Sequence, residues 1–153
     1  MKKYLIINVI FVFFGCGTEQ GDDRTYNYTI VNNSGVTLEI IPYLDGLKDI
    51  NYKVTLKPNE KINKNFTDRP PYEGKFSMYS FLFPRFYKSN LTSIEITFNN
   101  AKKMIHQGCT KGNQCLNIYR DIFNPIFSDE RIETYVVTPE DYQSAIDCGG
   151  NCN

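Results

Sequence analysis

From Thr25 onward, apolar and polar residues alternate with a period of two. Tyr26, Tyr28 and Ile30 fall on one side, and Asn27, Thr29 and Val31 on the other. This is the signature of a half-buried strand, whose successive side chains point to opposite faces. Asn33-Ser34-Gly35 supplies a turn. Val36, Leu38 and Ile40 resume the alternation, so residues 25 to 44 read as a hairpin with Pro42 marking an edge or bulge near its end. Asp45-Gly46 closes it. Ile50, Tyr52, Val54 and Leu56 alternate again before Lys57-Pro58-Asn59-Glu60. Ile62 and Phe66 mark a weaker fourth strand, broken by Asp68-Arg69-Pro70-Pro71, because proline has no N–H to give to a ladder.

The stretch from Gly74 to Lys88 is dense in apolar side chains, with Phe76, Met78, Phe81 and Phe83 ahead of Pro84, and is expected to supply a central strand of the core. Ile94, Ile96 and Phe98 alternate with Ser93, Glu95 and Thr97, and Asn99-Asn100 turns this strand toward Lys102 to His106, a second hairpin. Ile132 to Val137 gives a last strand. Thr138-Pro139-Glu140-Asp141 places a hydroxyl at the cap, proline at the first helical position and a carboxylate at the third, predicting a short helix through Ile146. About seven to nine strands with little helix predict an all-β fold, an antiparallel β-sandwich, with a partly open β-barrel as the alternative.

Ahead of the strands, Lys2 and Lys3 precede the apolar run Tyr4 to Phe14, which ends at Gly15-Cys16. A charged start and an apolar stretch shorter than the ~20 residues a bilayer core needs predict a secretion signal and not a spanning helix. The ending Phe13-Phe14-Gly15-Cys16 resembles the lipobox of bacterial lipoproteins, in the relaxed form found among Bacteroidetes-type members. The resemblance implies cleavage before Cys16 by signal peptidase II, lipidation of Cys16, and a place in the cell envelope on the outer membrane, facing periplasm or surface. Residues 1 to 15 are then a signal peptide and residues 16 to 24 a spacer, since Gly17-Thr18-Glu19-Gln20-Gly21-Asp22-Asp23-Arg24 has nothing large to bury. Residues 25 to 153 form a single domain.

Charge narrows the partners. The chain carries 17 basic and 17 acidic residues, and loss of Lys2 and Lys3 with the leader leaves 15 against 17, a net charge of −2. Nucleic acid needs a clustered surplus of Lys and Arg, so it is not an expected partner. Four Asn-x-Ser/Thr matches, at Asn27, Asn32, Asn65 and Asn90, are incidental in an asparagine-rich chain with a bacterial leader.

Cys109, Cys115, Cys148 and Cys152 all lie in loop-like surroundings, and an exported chain meets an oxidising environment, so two disulfides are expected. The local pairs, Cys109 with Cys115 and Cys148 with Cys152, are favoured because Gly- and Asn-containing loops can bend the chain back. The crossed pairings stay open. Zinc is not expected. His106 stands three residues before Cys109, but the five-residue gap between Cys109 and Cys115 is wider than structural zinc pairs show. His106 is more simply a packed or exposed imidazole at a strand end. Glu140-Asp141 is explained by capping, Asp129-Glu130 by a turn, and Asp45 and Asp49 by the turn around Gly46, since a calcium loop needs more regularly spaced oxygens. No nucleophile elbow, phosphate loop or His-Glu-x-x-His pair occurs, so neither catalytic residues nor a cofactor are assigned.

One surface motif remains. Arg85, Phe86, Tyr87 and Lys88 follow Pro84 and put two aromatic rings between two cations, a pattern suited to a protein or glycan partner. The chain lacks tryptophan, which counts against a sugar platform. The expected role is therefore a membrane-anchored binding or assembly module, with an inhibitor or immunity-type protein as the alternative and a small hydrolase behind both.

Overall fold

The computed structural model describes residues 21–72, 77–83, 91–108, 119–128 and 130–152. Within them the chain forms β1 (Arg24–Asn32), β2 (Leu38–Leu44), β3 (Leu47–Lys48), β4 (Val54–Leu56), β5 (Lys61–Asp68), α1 (Met78–Leu82), β6 (Leu91–Phe98), β7 (Lys102–Gln107), β8 (Ile132–Val137), α2 (Pro139–Ser144) and β9 (Ile146–Asp147). The fold is all-β. One three-stranded sheet runs β5-β1-β8, and a six-stranded sheet runs β3-β2-β6-β7-β9 with β4 also paired to β2. Among the described residues no helix is long and apolar enough to cross a membrane.

The two sheets share one core. Tyr26, Tyr28 and Ile30 of β1, with Tyr135 and Val137 of β8, come from the smaller sheet, and Leu38, Ile40, Ile94, Ile96 and Phe98 from the larger. Those of β1, β2 and β6 are the period-two positions read from the sequence. Tyr26 stacks on Phe66 of β5 with ring centroids 5.2 Å apart.

Four expectations need correction. First, β1 and β2 do not pair as a hairpin but lie in different sheets. The cause is Asn32, fully buried at the end of β1. Its amide nitrogen donates to the carbonyls of Val36, Leu56 and Lys57 at 2.8, 2.9 and 3.0 Å, and its oxygen accepts from Ser34 N and Oγ. Gly35, at φ +84°, lets the chain turn there. The side chain thus satisfies backbone groups that a hairpin ladder would have used, and β2 departs into the second sheet.

Second, the apolar stretch before Pro84 holds a helix where a strand was expected. Ser77 caps α1 through a capping box with Ser80, and Met78, Phe81 and Leu82, at helical spacing, are buried. Third, Ile50–Tyr52 forms a 3-10 turn capped by the Asp49 carboxylate, which shortens the expected strand to β4. Fourth, the sheets are not wholly antiparallel, because β8 runs parallel to β1, from Asn27 opposite Ile132 to Asn32 opposite Val137. The chain reaches β8 only after crossing the other sheet, as a parallel neighbour requires.

The hairpin at Asn99-Asn100 forms as expected, with both asparagines in the left-handed region at φ 51° and 55°. So does the capping box of α2, where Thr138 Oγ1 accepts from Asp141 N and the Asp141 carboxylate accepts from Thr138 N.

Candidate functional site

The outer face of the six-stranded sheet carries the most unusual chemistry among the described residues. Cross-strand neighbours share a face. Ile41 of β2 lies opposite Glu95 of β6, which lies opposite Ile105 of β7, while Thr97 faces Lys103 and Lys103 faces Ile146. By alternation Glu95 points away from the core that Ile94 and Ile96 enter, yet it is 0% exposed. A carboxylate removed from water needs charge partners. Lys48 supplies its ammonium 2.6 Å from Oε1, Tyr43 donates its hydroxyl to Oε2 at 2.8 Å, and Lys103 stands 3.8 Å from Oε2. The Lys48 contact is an ion pair and not a directional hydrogen bond to Oε1. Burial, then the hydrogen bond to Glu95 and the repulsion of its charge, push the Tyr43 phenol up to about 12. Tyr43 therefore acts as a proton donor to Glu95 at all physiological pH.

Beside this cluster the edge of the sheet is interrupted. β4 pairs with Leu38, Glu39 and Ile40, and β3 pairs with Tyr43 and Leu44, leaving Ile41 and Pro42 between them. Pro42 has no N–H to donate, and its carbonyl accepts from Asp49 N instead, at the start of the 3-10 turn. The result is a groove of about 480 Å³ lined by Glu39, Ile41, Lys48, Ile50 and Lys53. Its floor is Ile41, and Ile50 stands 62% exposed at its side. The Glu39–Lys53 ion pair, at 2.6 Å, separates it from a second hollow of about 320 Å³ bordered by Thr37, Asn99 and Asn100. Together they offer an apolar seat next to amide donors and acceptors.

A second polar cluster lies buried between the sheets. His106 Nδ1 accepts the N–H of Ile122 at 3.3 Å, which leaves the ring proton on Nε2, a buried atom with no hydrogen-bond partner. The Asp121 carboxylate is 3.5 Å from Nδ1 and accepts from Phe123 N. His106 is thus a packed imidazole that fixes the turn at 121–124. Nearby, Arg120 forms a forked pair with Asp141 and also donates to Val136 O. The hydrogen bond donated to Asp141 raises the Arg120 pKa above its ordinary value, and burial raises that of the Tyr135 phenol. This arrangement ties α2 to the edge of β8.

Cys148 and Cys152 are joined, with sulfurs 2.10 Å apart. Cys16, Cys109 and Cys115, together with Arg85, Phe86, Tyr87 and Lys88, lie outside the described residues. Asp141 is used by the cap and by Arg120, Asp49 by the 3-10 turn, and Asp45, at φ 51°, by the β2–β3 turn. Among the described residues no three His, Cys, Asp or Glu side chains converge as a metal would need. The Glu95 cluster and the groove were not foreseen, because alternation places Glu95, Tyr43 and Lys103 on a face that normally meets water, and nothing local marks that face as covered.

Set against family models, curated proteins and solved structures, the chain has no match.

Proposed function

We propose that this chain is a lipoprotein of the bacterial envelope, anchored at Cys16, whose β-domain acts as a binding or assembly module for a polypeptide partner. The groove beside β2 is the observation that carries the binding half of this reading. An apolar floor of Ile41 with Ile50 at its side, walls of both charge signs and the adjoining Asn99 amide suit an extended segment that seats one apolar side chain and hydrogen-bonds through its backbone. The mixed-sign walls and the absence of tryptophan favour polypeptide over sugar. The leader ending in Gly15-Cys16 supports the anchor, because two or three acyl chains at ~0.8 kcal/mol per buried methylene hold a domain at a membrane durably.

The test has two arms. Cys16→Ser should move the protein from the membrane fraction to the soluble one and remove acyl mass from the N-terminal peptide. Unchanged membrane association refutes the anchor. For binding, a photo-crosslinking residue placed at Ile50 in the source cell should give a discrete adduct with one envelope protein, while the same residue at exposed Asn65 on the opposite sheet should not. Equal labelling at both positions, or none at Ile50, refutes the groove. A crosslinked partner that is itself an exported toxin or enzyme, silenced by this chain, would shift the reading to an inhibitor.

A further inference from the structure

The chain beyond β9 folds back over the outer sheet face and is pinned there. Cys148 N donates to Ala101 O at 2.8 Å. Asn100, in the β6–β7 turn, holds the loop twice, its amide nitrogen donating to Gly150 O at 3.2 Å and its oxygen accepting from Cys152 N at 3.0 Å. Lys48 then donates to Cys152 O at 2.9 Å with the same ammonium that pairs with Glu95. Cys152 is 2% exposed, so the end of the loop is packed and not merely draped. Between the two cysteines stand Gly149 and Gly150, both at positive φ, and Asn151, a segment with little stiffness of its own.

We infer that the Cys148–Cys152 loop is a redox-set strap over the Glu95 cluster, closed when the disulfide is formed and released by a dithiol reductant of the thiol–disulfide oxidoreductase class. The chemistry balances without any further reagent. A thiolate of the reductant attacks Sγ of Cys148, the less buried of the two sulfurs, breaking the Sγ–Sγ bond and forming a mixed disulfide while Cys152 leaves as thiolate and takes a proton. The reductant's second thiolate displaces Cys148, which is protonated in turn. Two electrons have passed to the cysteines and the dithiol has become a disulfide. What remains to hold the strap is a set of single hydrogen bonds on a glycine-rich segment. A ring of five residues restrains the open form by roughly thirty-fold in equilibrium constant. Its loss therefore frees Cys152 O from Lys48 and brings Lys48 and Glu95 toward water.

The strap is independent of what the groove binds, and its test reads the lysines directly. The full chain is acetylated briefly in its oxidised form, after dithiothreitol, and as the Cys148→Ser/Cys152→Ser variant, and the rates at Lys48 and Lys53 are read by peptide mass. The variant separates this disulfide from any bridge at Cys109 and Cys115, which dithiothreitol would also open. Lys48 should label at least tenfold faster in both opened forms, with Lys53, whose ammonium is paired to Glu39, unchanged. Asn100→Ala, which removes both side-chain anchors, should speed Lys48 in the oxidised protein as well. Hydrogen exchange of the β6 amides should stay slow throughout. Equal Lys48 rates in the oxidised and opened forms overturn the strap. So does parallel acceleration of Lys53 or loss of β6 protection, which would make the disulfide a staple of the whole domain.

Discussion

Lys48→Met tests whether Glu95 is held in place by charge. The substitution keeps an unbranched apolar stem on the sheet face and removes the ammonium that lies 2.6 Å from Oε1. Glu95 then keeps the Tyr43 hydroxyl at 2.8 Å and Lys103 at 3.8 Å, both on Oε2, and Oε1 is left buried with no partner. Removing one member of a buried ion pair costs about 3–5 kcal/mol. Lys48 is 19% exposed and Lys103 has room to close in, so the expected loss is at the low end or below it, about 2–3 kcal/mol. The reverse change is milder. Glu95→Gln leaves Lys48 and Lys103 free to reach solvent and keeps an oxygen for Tyr43, for about 1 kcal/mol. Replacing both partners, Glu95→Leu with Lys48→Met, removes the desolvated charge altogether and should return to within about 1 kcal/mol of the wild type.

The assay is urea unfolding of the oxidised chain at neutral pH, comparing midpoints at constant slope for the four proteins. Against a domain stability of about 5–15 kcal/mol these differences are readily resolved. The reasoning fails if Lys48→Met lies within about 0.5 kcal/mol of wild type, a value typical of surface pairs. It also fails if the double variant is no more stable than Lys48→Met alone, because then the loss does not come from a carboxylate left buried without its cation.

Tyr43 adds a pH dependence of defined sign. Its folded pKa, about 12, lies above the ordinary value of 10.0, so its contribution is complete below pH 10 and is lost as pH rises through 12, where the unfolded phenol has already ionised. Allowing for partial exposure of the ring, this amounts to roughly 1–2 kcal/mol, and Tyr43→Phe should flatten that part of the alkaline stability curve measured by urea midpoints. A Tyr43→Phe curve parallel to wild type would show that the hydroxyl is not held by Glu95. Asn32→Ala strips the sheet-to-sheet turn of a buried amide that serves three carbonyls and Ser34, and should cost about 2–4 kcal/mol by the same measurement. A loss under about 1 kcal/mol would mean that the backbone holds this turn without the side chain.

How far the sequence carried depended on whether the deciding interaction was local. The alternation in β1 and β6 names Tyr28, Ile30, Ile94, Ile96 and Phe98, and all are core, because a period of two is enforced by the pleat itself. The α2 start was legible for the same reason, since the box spans only Thr138 to Asp141. The α1 region misled through its aromatic content. Read by spacing, Met78, Phe81 and Leu82 follow a helical stripe, and Ser77 with Ser80 gives the cap, a signal that was present but outweighed by β-favouring composition. The split of β1 from β2 could not be read locally, because Asn32 acts on Leu56 and Lys57, more than twenty positions away.

Glu95 shows most clearly why the outer face was hidden from the sequence. Between Ile94 and Ile96 a glutamate reads as the solvent side of a strand, and on the sheet alone it would be. Three separate segments convert that face into an interior. The β2–β3 turn brings Lys48 back beside Tyr43, the β6–β7 hairpin sets Lys103 diagonally across, and the C-terminal loop returns to Asn100 and Lys48. The first two bring the Lys48 and Lys103 ammonium groups to one carboxylate, and the third sets the Cys152 carbonyl on Lys48. Apolar residues of similar volume would seal the same face at lower electrostatic cost. A carboxylate with two lysines and a phenol can instead exist both covered and wetted, because its partners can follow it into water. That distinction makes the outer face, and not the aromatic core, the part of this domain built to change state.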